Sequence, residues 1–165
     1  MASAAPAASP EDELKAALVL GIARFAEWPQ PAWASAPLRI GVLGRSEFVQ
    51  LLEQTTSGRT AAGGRRLEVK SIRNPADLAD CQILYFAATS ARDIKALLGV
   101  ARDNAVITIG DSDQFLDWGG AVHVFEEDGR ISFEVRLDVL EHAGVGISAK
   151  LLKLGHVVRP RQSQP

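Results

Sequence analysis

"ITIGDSDQFLDWGGAVHVFEEDGRISFEV", residues 107–135, decides how this chain is read. It gathers Asp111, Asp113, Asp117 and His123 beside a glycine pair. One reading is a metal site or an acid/base pair built from Asp111, Asp113 and His123. The other is a strand, a capped turn and a β-hairpin whose polar residues serve the backbone. The local pattern favours the second. "AVITIG" is a short branched run, and Asp111 or Ser112 is placed to cap "DQFLDW". Asp128-Gly129 is a strong hairpin turn because both positions tolerate positive φ. In "AVHVFE", Val122 and Val124 alternate with His123 and Phe125, so the histidine shares a face with a phenylalanine. A metal would need a third or fourth ligand and a supporting shell, and the spacing supplies neither.

Working outward, strands and helices alternate on both sides. "EDELKAALVLGIARFAEW" opens at Ser9 or Pro10 with acids in its first turn, repeats Leu14, Ala17, Leu18, Ile22 and Phe25 at helical spacing, and stops at Pro29 and Pro31. "LRIGVLG" is a buried strand, and Ser46 is expected to cap the helix "EFVQLLEQTT". A loop "GRTAAGGRR", a strand "LEVKSI", a turn from Pro75 to Ala79 and a buried strand "CQILYFA" follow. Ser90 starts the helix "ARDIKALLGVAR". After the hairpin, "RLDVLEHAG" and "SAKLLKLGHVV" read as closing helices that hold His142 and His156. The whole is an α/β fold, one domain with a mixed sheet flanked by helices and a hairpin in its C-terminal half. Residues 10–158 form that domain. Residues 1–9 read as a disordered lead-in and 159–165 as a disordered tail.

Composition agrees. At 165 residues and 47% hydrophobic, the chain can bury a core within one domain. A formal net charge of -2 and 6% aromatic residues argue against a nucleic-acid partner. No apolar run is long enough to span a bilayer. The opening "MASAAPAASPEDE" has neither a basic n-region nor an apolar core, so it is not an intact signal peptide. It suits the start of a mature exported chain or a disordered cytosolic lead-in.

Other stretches that resemble chemical motifs have plainer roles. "GVLGRSEF" lacks the full dinucleotide fingerprint and has no P-loop Lys-Ser/Thr pair. The glycine-rich loop with Arg59, Arg65 and Arg66 offers an anion site, but a solvated loop accounts for it. A phospho-receiver needs an acid at the end of a central strand, where this chain has Ala87, Ala88 and Thr89. Cys81, the single cysteine, opens a buried strand, where a thiol behaves as a small apolar group rather than a nucleophile.

Five motifs in order, "KAALVLGIARFAEWP", "LRIGVLG", "LADCQILYFA", "VITIGDSDQFLDWGGAVHVF" and "GRISFEVRLDVLEHAGVGISAKLLKLGHVV", resemble the YfiR family of bacterial periplasmic proteins. The resemblance runs from Lys15 to Val158. It implies a non-enzymatic periplasmic regulator without a cofactor. Such a protein binds the periplasmic sensor region of a membrane-bound diguanylate cyclase, represses it and so lowers cyclic di-GMP and biofilm formation. It also implies an α/β fold and a homodimer. The chain departs from the family at Arg136, where many members carry Asn, and at Gly155 and His156, where Ala or Lys is usual. Some members carry further cysteines; here an internal disulfide is impossible.

Two surfaces stand out for such a protein. The first helix is apolar on more than one side, with Val19 and Ala26 added to the stripe above, which suits a homodimer. The partner- or ligand-binding site is placed at Trp28, Gly146, Ser148 and Lys150. Trp28 ends the first helix, where it either caps the core or offers a rigid contact surface. Gly144 and Gly146 free the backbone, and Ser148 caps the last helix with Lys150 in its first turn. These features meet if the first and last helices pack side by side.

Overall fold

The computed structural model describes residues 9–28, 37–87 and 90–158. Pro29, Pro31, Ala88, Thr89 and the segments 1–8 and 159–165 lie outside the described residues. The chain runs α1 (Pro10–Phe25), β1 (Ala26–Glu27), β2 (Leu38–Gly44), α2 (Ser46–Thr56), β3 (Leu67–Ser71), β4 (Ile83–Ala87), α3 (Ala91–Arg102) and β5 (Ile107–Gly110). The remainder is β6 (Val122–Glu127), β7 (Arg130–Arg136), α4 (Leu137–Ala143), β8 (Gly146–Ile147), α5 (Ala149–Leu152) and β9 (His156–Val158).

Seven strands form one sheet in the order β3-β2-β4-β5-β6-β7-β9. From β3 to β6 every pairing is parallel, β7 returns antiparallel to β6, and β9 lies parallel to β7. The expected mixed α/β sheet and its hairpin are both present. Asp128 and Gly129 turn the hairpin with φ of 52° and 76°, as the Asp-Gly pair requires.

The sheet is covered on both faces. Ile40, Val42, Ile83, Tyr85, Ile107, Ile109, Val122 and Val124 pack with residues of α1, α2, α4 and α5. On the other face, Leu84 and Phe86 meet Ile94, Leu97 and Leu98 of α3, Leu78, and Phe115 and Leu116 of the turn before β6. Burial on both faces is why β4 reads as an unbroken apolar run rather than an alternation. The order is that of a doubly wound sheet, with its switch point between β2 and β4.

Several expected details change. The first helix ends at Phe25, not Trp28, because residues 26 and 27 pair with β8. Its buried stripe is Ala16, Val19, Leu20, Ile22 and Ala23, while Leu14 is 47% and Phe25 41% exposed. Asp12 and Lys15 turn inward to ion pairs with Arg45 and Asp111, just past the ends of β2 and β5, and this rotates much of the expected stripe, though not Ile22, towards solvent. Ser46 does not cap α2. It is the first helical residue, and Arg45 precedes it with no side-chain cap. The stretch after β5 forms hydrogen-bonded turns rather than a helix. The last expected helix stops at Leu152, and His156 lies in β9. By contrast, Ser9 caps α1, accepting from the Asp12 N–H at 3.1 Å, and Ser90 caps α3 as its position suggests.

Candidate functional site

Ligands of doubly wound sheets lie outside the carboxyl ends of the strands, at the switch point. Here that crevice is occupied by the chain's own charges. The first turn of α1 crosses it. Lys15, 7% exposed, donates to Asp111 at 3.1 Å and pairs with Glu11 at 2.8 Å. Asp12, 8% exposed, accepts from Arg45 at 2.9 Å. Burial alone would lower the Lys15 ammonium, but Glu11 and Asp111 outweigh it and hold the group above its ordinary range. Burial would likewise raise Asp12, and Arg45 with Ser9 and Lys15 keeps its carboxyl below the usual value. Tyr85, stacked on Phe48 at 4.3 Å, has its phenol pushed up by burial and by the nearby Asp111 and Asp12 charges.

This arrangement answers the question of residues 107–135. Asp111 is the ion-pair partner of Lys15, not a helix cap. The capping contact is a backbone one, from Phe115 N–H to the Ser112 carbonyl at 3.0 Å. His123 lies on the opposite face of the sheet from Asp111. It follows the parity of Glu134, its Nδ1 stands 3.3 Å from that carboxylate, and its ring stacks on Phe125 at 5.5 Å. Asp113 is exposed. The three residues therefore do not converge on one metal or substrate. Among the described residues no group of three or more His, Cys, Asp or Glu side chains is placed to hold a metal ion. Gly120 of the glycine pair, together with Gly110, instead serves packing. A Cβ at Gly120 would fall 2.2 Å from the Phe115 ring, and one at Gly110 would fall 2.6 Å from it.

The other candidates resolve similarly. Cys81 is buried, its thiol is pushed up by that burial, and its Sγ lies 3.6 Å from the Asp77 carbonyl. In the glycine-rich loop, Arg65 donates to the Pro37 carbonyl at 3.2 Å, tying the loop to the start of β2.

The corner of Trp28, Gly146, Ser148 and Lys150 is assembled by contacts the sequence only hinted at. β1 pairs antiparallel with β8, setting Ala26 opposite Ile147 and Glu27 opposite Gly146. The Ser148 N–H donates to the Phe25 carbonyl at 2.9 Å, so the end of α1 and the start of α5 adjoin. Trp28 is half-buried against the core, and its Nε1 finds no hydrogen-bond partner among the described residues. Lys150 is exposed. Two expectations need correction. Gly144, with φ of 77°, takes the left-handed position that ends α4, whereas Gly146 sits in ordinary strand geometry. The start of α5 is a single turn whose Lys150 N–H is already taken by Ser148 Oγ at 3.2 Å, so it offers no row of open donors.

Comparison with known proteins adds the family. The model of DUF4154, described as YfiR/HmsC-like, matches residues 12–156. Among solved structures, a conserved domain protein from Vibrio cholerae O1 biovar El Tor shares 13% identity at a TM-score of 0.59, covering 92% of this chain and 60% of that one. The ABC domain from Streptococcus pneumonia in complex with L-Trp shares 12% identity at a TM-score of 0.50, covering 73% of this chain and 55% of that one. This chain thus spans less than two thirds of either protein's length, and at such identities the likeness is one of fold. No helix among the described residues is long and apolar enough to cross a membrane.

Proposed function

The chain belongs to the YfiR/HmsC-like family, and from that membership we propose a periplasmic, non-enzymatic regulator of a diguanylate cyclase. In this reading it binds the periplasmic sensor region of an inner-membrane cyclase and holds it inactive, lowering cyclic di-GMP and biofilm formation. The observation that carries the reading is the family match over residues 12–156, almost the whole described fold. The strand-end crevice supports it, because Lys15, Asp12, Arg45 and Asp111 satisfy one another there.

The partner surface we assign to the β1–β8 corner, with Trp28, Gly146, Ser148 and Lys150. A half-buried indole at a corner that also carries an exposed lysine joins a rigid apolar body to a polar group, the composition of a binding hot spot. The protein acts as a homodimer in this reading, through the exposed Leu14 and Phe25 side of α1.

The test is calorimetric titration of the cognate cyclase's periplasmic domain, with cyclase output measured alongside. Wild type binds and lowers output; Trp28→Ala and Ser148→Ala fold normally and bind more weakly, by about tenfold for the tryptophan. Normal folding with unchanged affinity in both variants removes this surface. Absence of binding and of any effect on output removes the regulator reading itself.

A further inference from the structure

Away from both regions, a cleft of about 320 Å³ opens between the end of α3, the turn before β6 and the start of α4. Its walls are Arg102, Gly119, Arg136, Asp138, Val139 and His142. Two guanidinium groups thus face a single carboxylate, and that carboxylate is already committed. Arg136 donates to both Asp138 oxygens, from Nε at 3.2 Å and from Nη2 at 2.6 Å. Its Nη1 donates to the Leu116 carbonyl at 2.9 Å. These contacts fix the plane of the guanidinium, and the Arg136 hydrogen bonds hold the Asp138 carboxyl below its ordinary range. A guanidinium has five N–H donors, so two remain, directed away from Asp138.

Arg102 is held differently. It forms no ion pair among the described residues. Its guanidinium lies against the bare backbone of Gly119, where φ is 105° and an added Cβ would stand 2.7 Å from Nη2. Only glycine provides both that backbone conformation and that clearance. His142 brings a ring nitrogen to the lining from the exposed side of α4. The lining therefore carries more positive than negative charge, and donors of Arg102 and Arg136 with no acceptor among the described residues.

We propose that this cleft binds a small oxyanion, a phosphate or carboxylate group held between Arg102 and Arg136 with His142 at its rim. The paired forks suit an oxyanion's oxygens, and the locking of Asp138 to Arg136 leaves no free carboxylate to repel it. The site is separate from the β1–β8 corner and does not rest on the regulator reading.

The experiment titrates the full chain with inorganic phosphate by calorimetry, comparing wild type with Arg102→Gln, Gly119→Ala and a distant control, Arg39→Gln. Wild type shows saturable binding in the sub-millimolar range. Arg102→Gln, a surface change that leaves the fold intact, weakens it by about tenfold, while Arg39→Gln changes it by less than about twofold. Gly119→Ala, where circular dichroism shows it folded, weakens it likewise. A parallel arm uses phosphatidylglycerol vesicles against phosphatidylcholine vesicles. Arg102-dependent vesicle binding that phosphate displaces supports the same chemistry with a lipid headgroup as its source. No saturable phosphate binding together with no such vesicle binding overturns the site. Affinity indifferent to Arg102→Gln, or equally reduced by Arg39→Gln, also overturns it.

Discussion

Phe115 shows how a motif that looks chemical turns out to be about packing. Its ring is fully buried and lies between Gly110 and Gly120, close enough that a methyl at either position would overlap it. The run "GDSDQFLDWGG" therefore needs its glycines to admit one aromatic ring against the sheet. Gly120→Ala should destabilise the protein by about 1–3 kcal/mol through overpacking, measured as a lower midpoint in urea with an unchanged slope. His123 makes the complementary case. It is 7% exposed, and its Nε2 has no partner among the described residues. Replacing a buried, half-satisfied polar ring by an apolar one removes a desolvation cost. The surviving Glu134 is 36% exposed and stays hydrated. His123→Leu is thus expected to keep stability within about 1 kcal/mol of wild type or raise it. A loss of several kcal/mol in the same urea experiment would show that the imidazole carries a contact of real worth.

Among the elements, α1 carries the largest gap between pattern and structure. Leu14, Ala17, Leu18, Ile22 and Phe25 recur at helical spacing as a core stripe should, yet Leu14, Ala17 and Phe25 face solvent and only Ile22 is fully buried. Around Ile22 the core side is completed by Ala16, Val19, Leu20 and Ala23, in line with the inward-turned Asp12 and Lys15. Hydrophobic periodicity fixed that a helix forms here but not which face is buried, because two long-range ion pairs set the rotation. The same limit explains the missed strands. β1, β8 and β9 span two or three residues, too few for an alternation to show, and they form only because distant segments supply partners. Longer strands, the Asp-Gly hairpin and the Ser9 and Ser90 caps were legible because each depends on local chemistry. At the proposed binding corner, the β1–β8 pairing that adjoins the end of α1 and the start of α5 was not legible. The exposed stripe has an expected consequence. If α1 forms the dimer, Leu14→Glu with Phe25→Glu leaves the circular dichroism unchanged and yields a monomer in sedimentation at tens of micromolar (an order-of-magnitude range), where wild type is dimeric. A monomeric wild type at that concentration removes this interface.

Across the whole molecule, the charged crevice ties the first helix to the middle of the sheet. Asp12–Arg45 links α1 to the end of β2, and Lys15–Asp111 links it to the end of β5. The α1 partners are nearly buried while Asp111 and Arg45 are a third or more exposed, so removing the outer partner strands the inner charge in a poorly hydrated place. Asp111→Asn should cost about 1–3 kcal/mol, and Lys15→Met should recover part of that loss when added to it, the signature of a coupled pair. The pH dependence follows in sign from the two shifts. The folded-state pKa of Asp12 is depressed, so its contribution is full above the unfolded value of about 4 and disappears as pH falls through the lower folded value. That of Lys15 is raised, so its contribution is full below about 10.4 and is lost as pH rises through the higher folded value. Both terms are therefore present together between about pH 5 and 9, and stability from this crevice should be flat there. Urea midpoints taken across pH 2–10 check it: wild type falls at the acid end, and Asp12→Asn falls less steeply because the group that titrates is gone. An acid limb as steep in Asp12→Asn as in wild type would place the acid sensitivity in other carboxylates, among them Asp138 and Asp77, whose carboxyls are also held below their ordinary range.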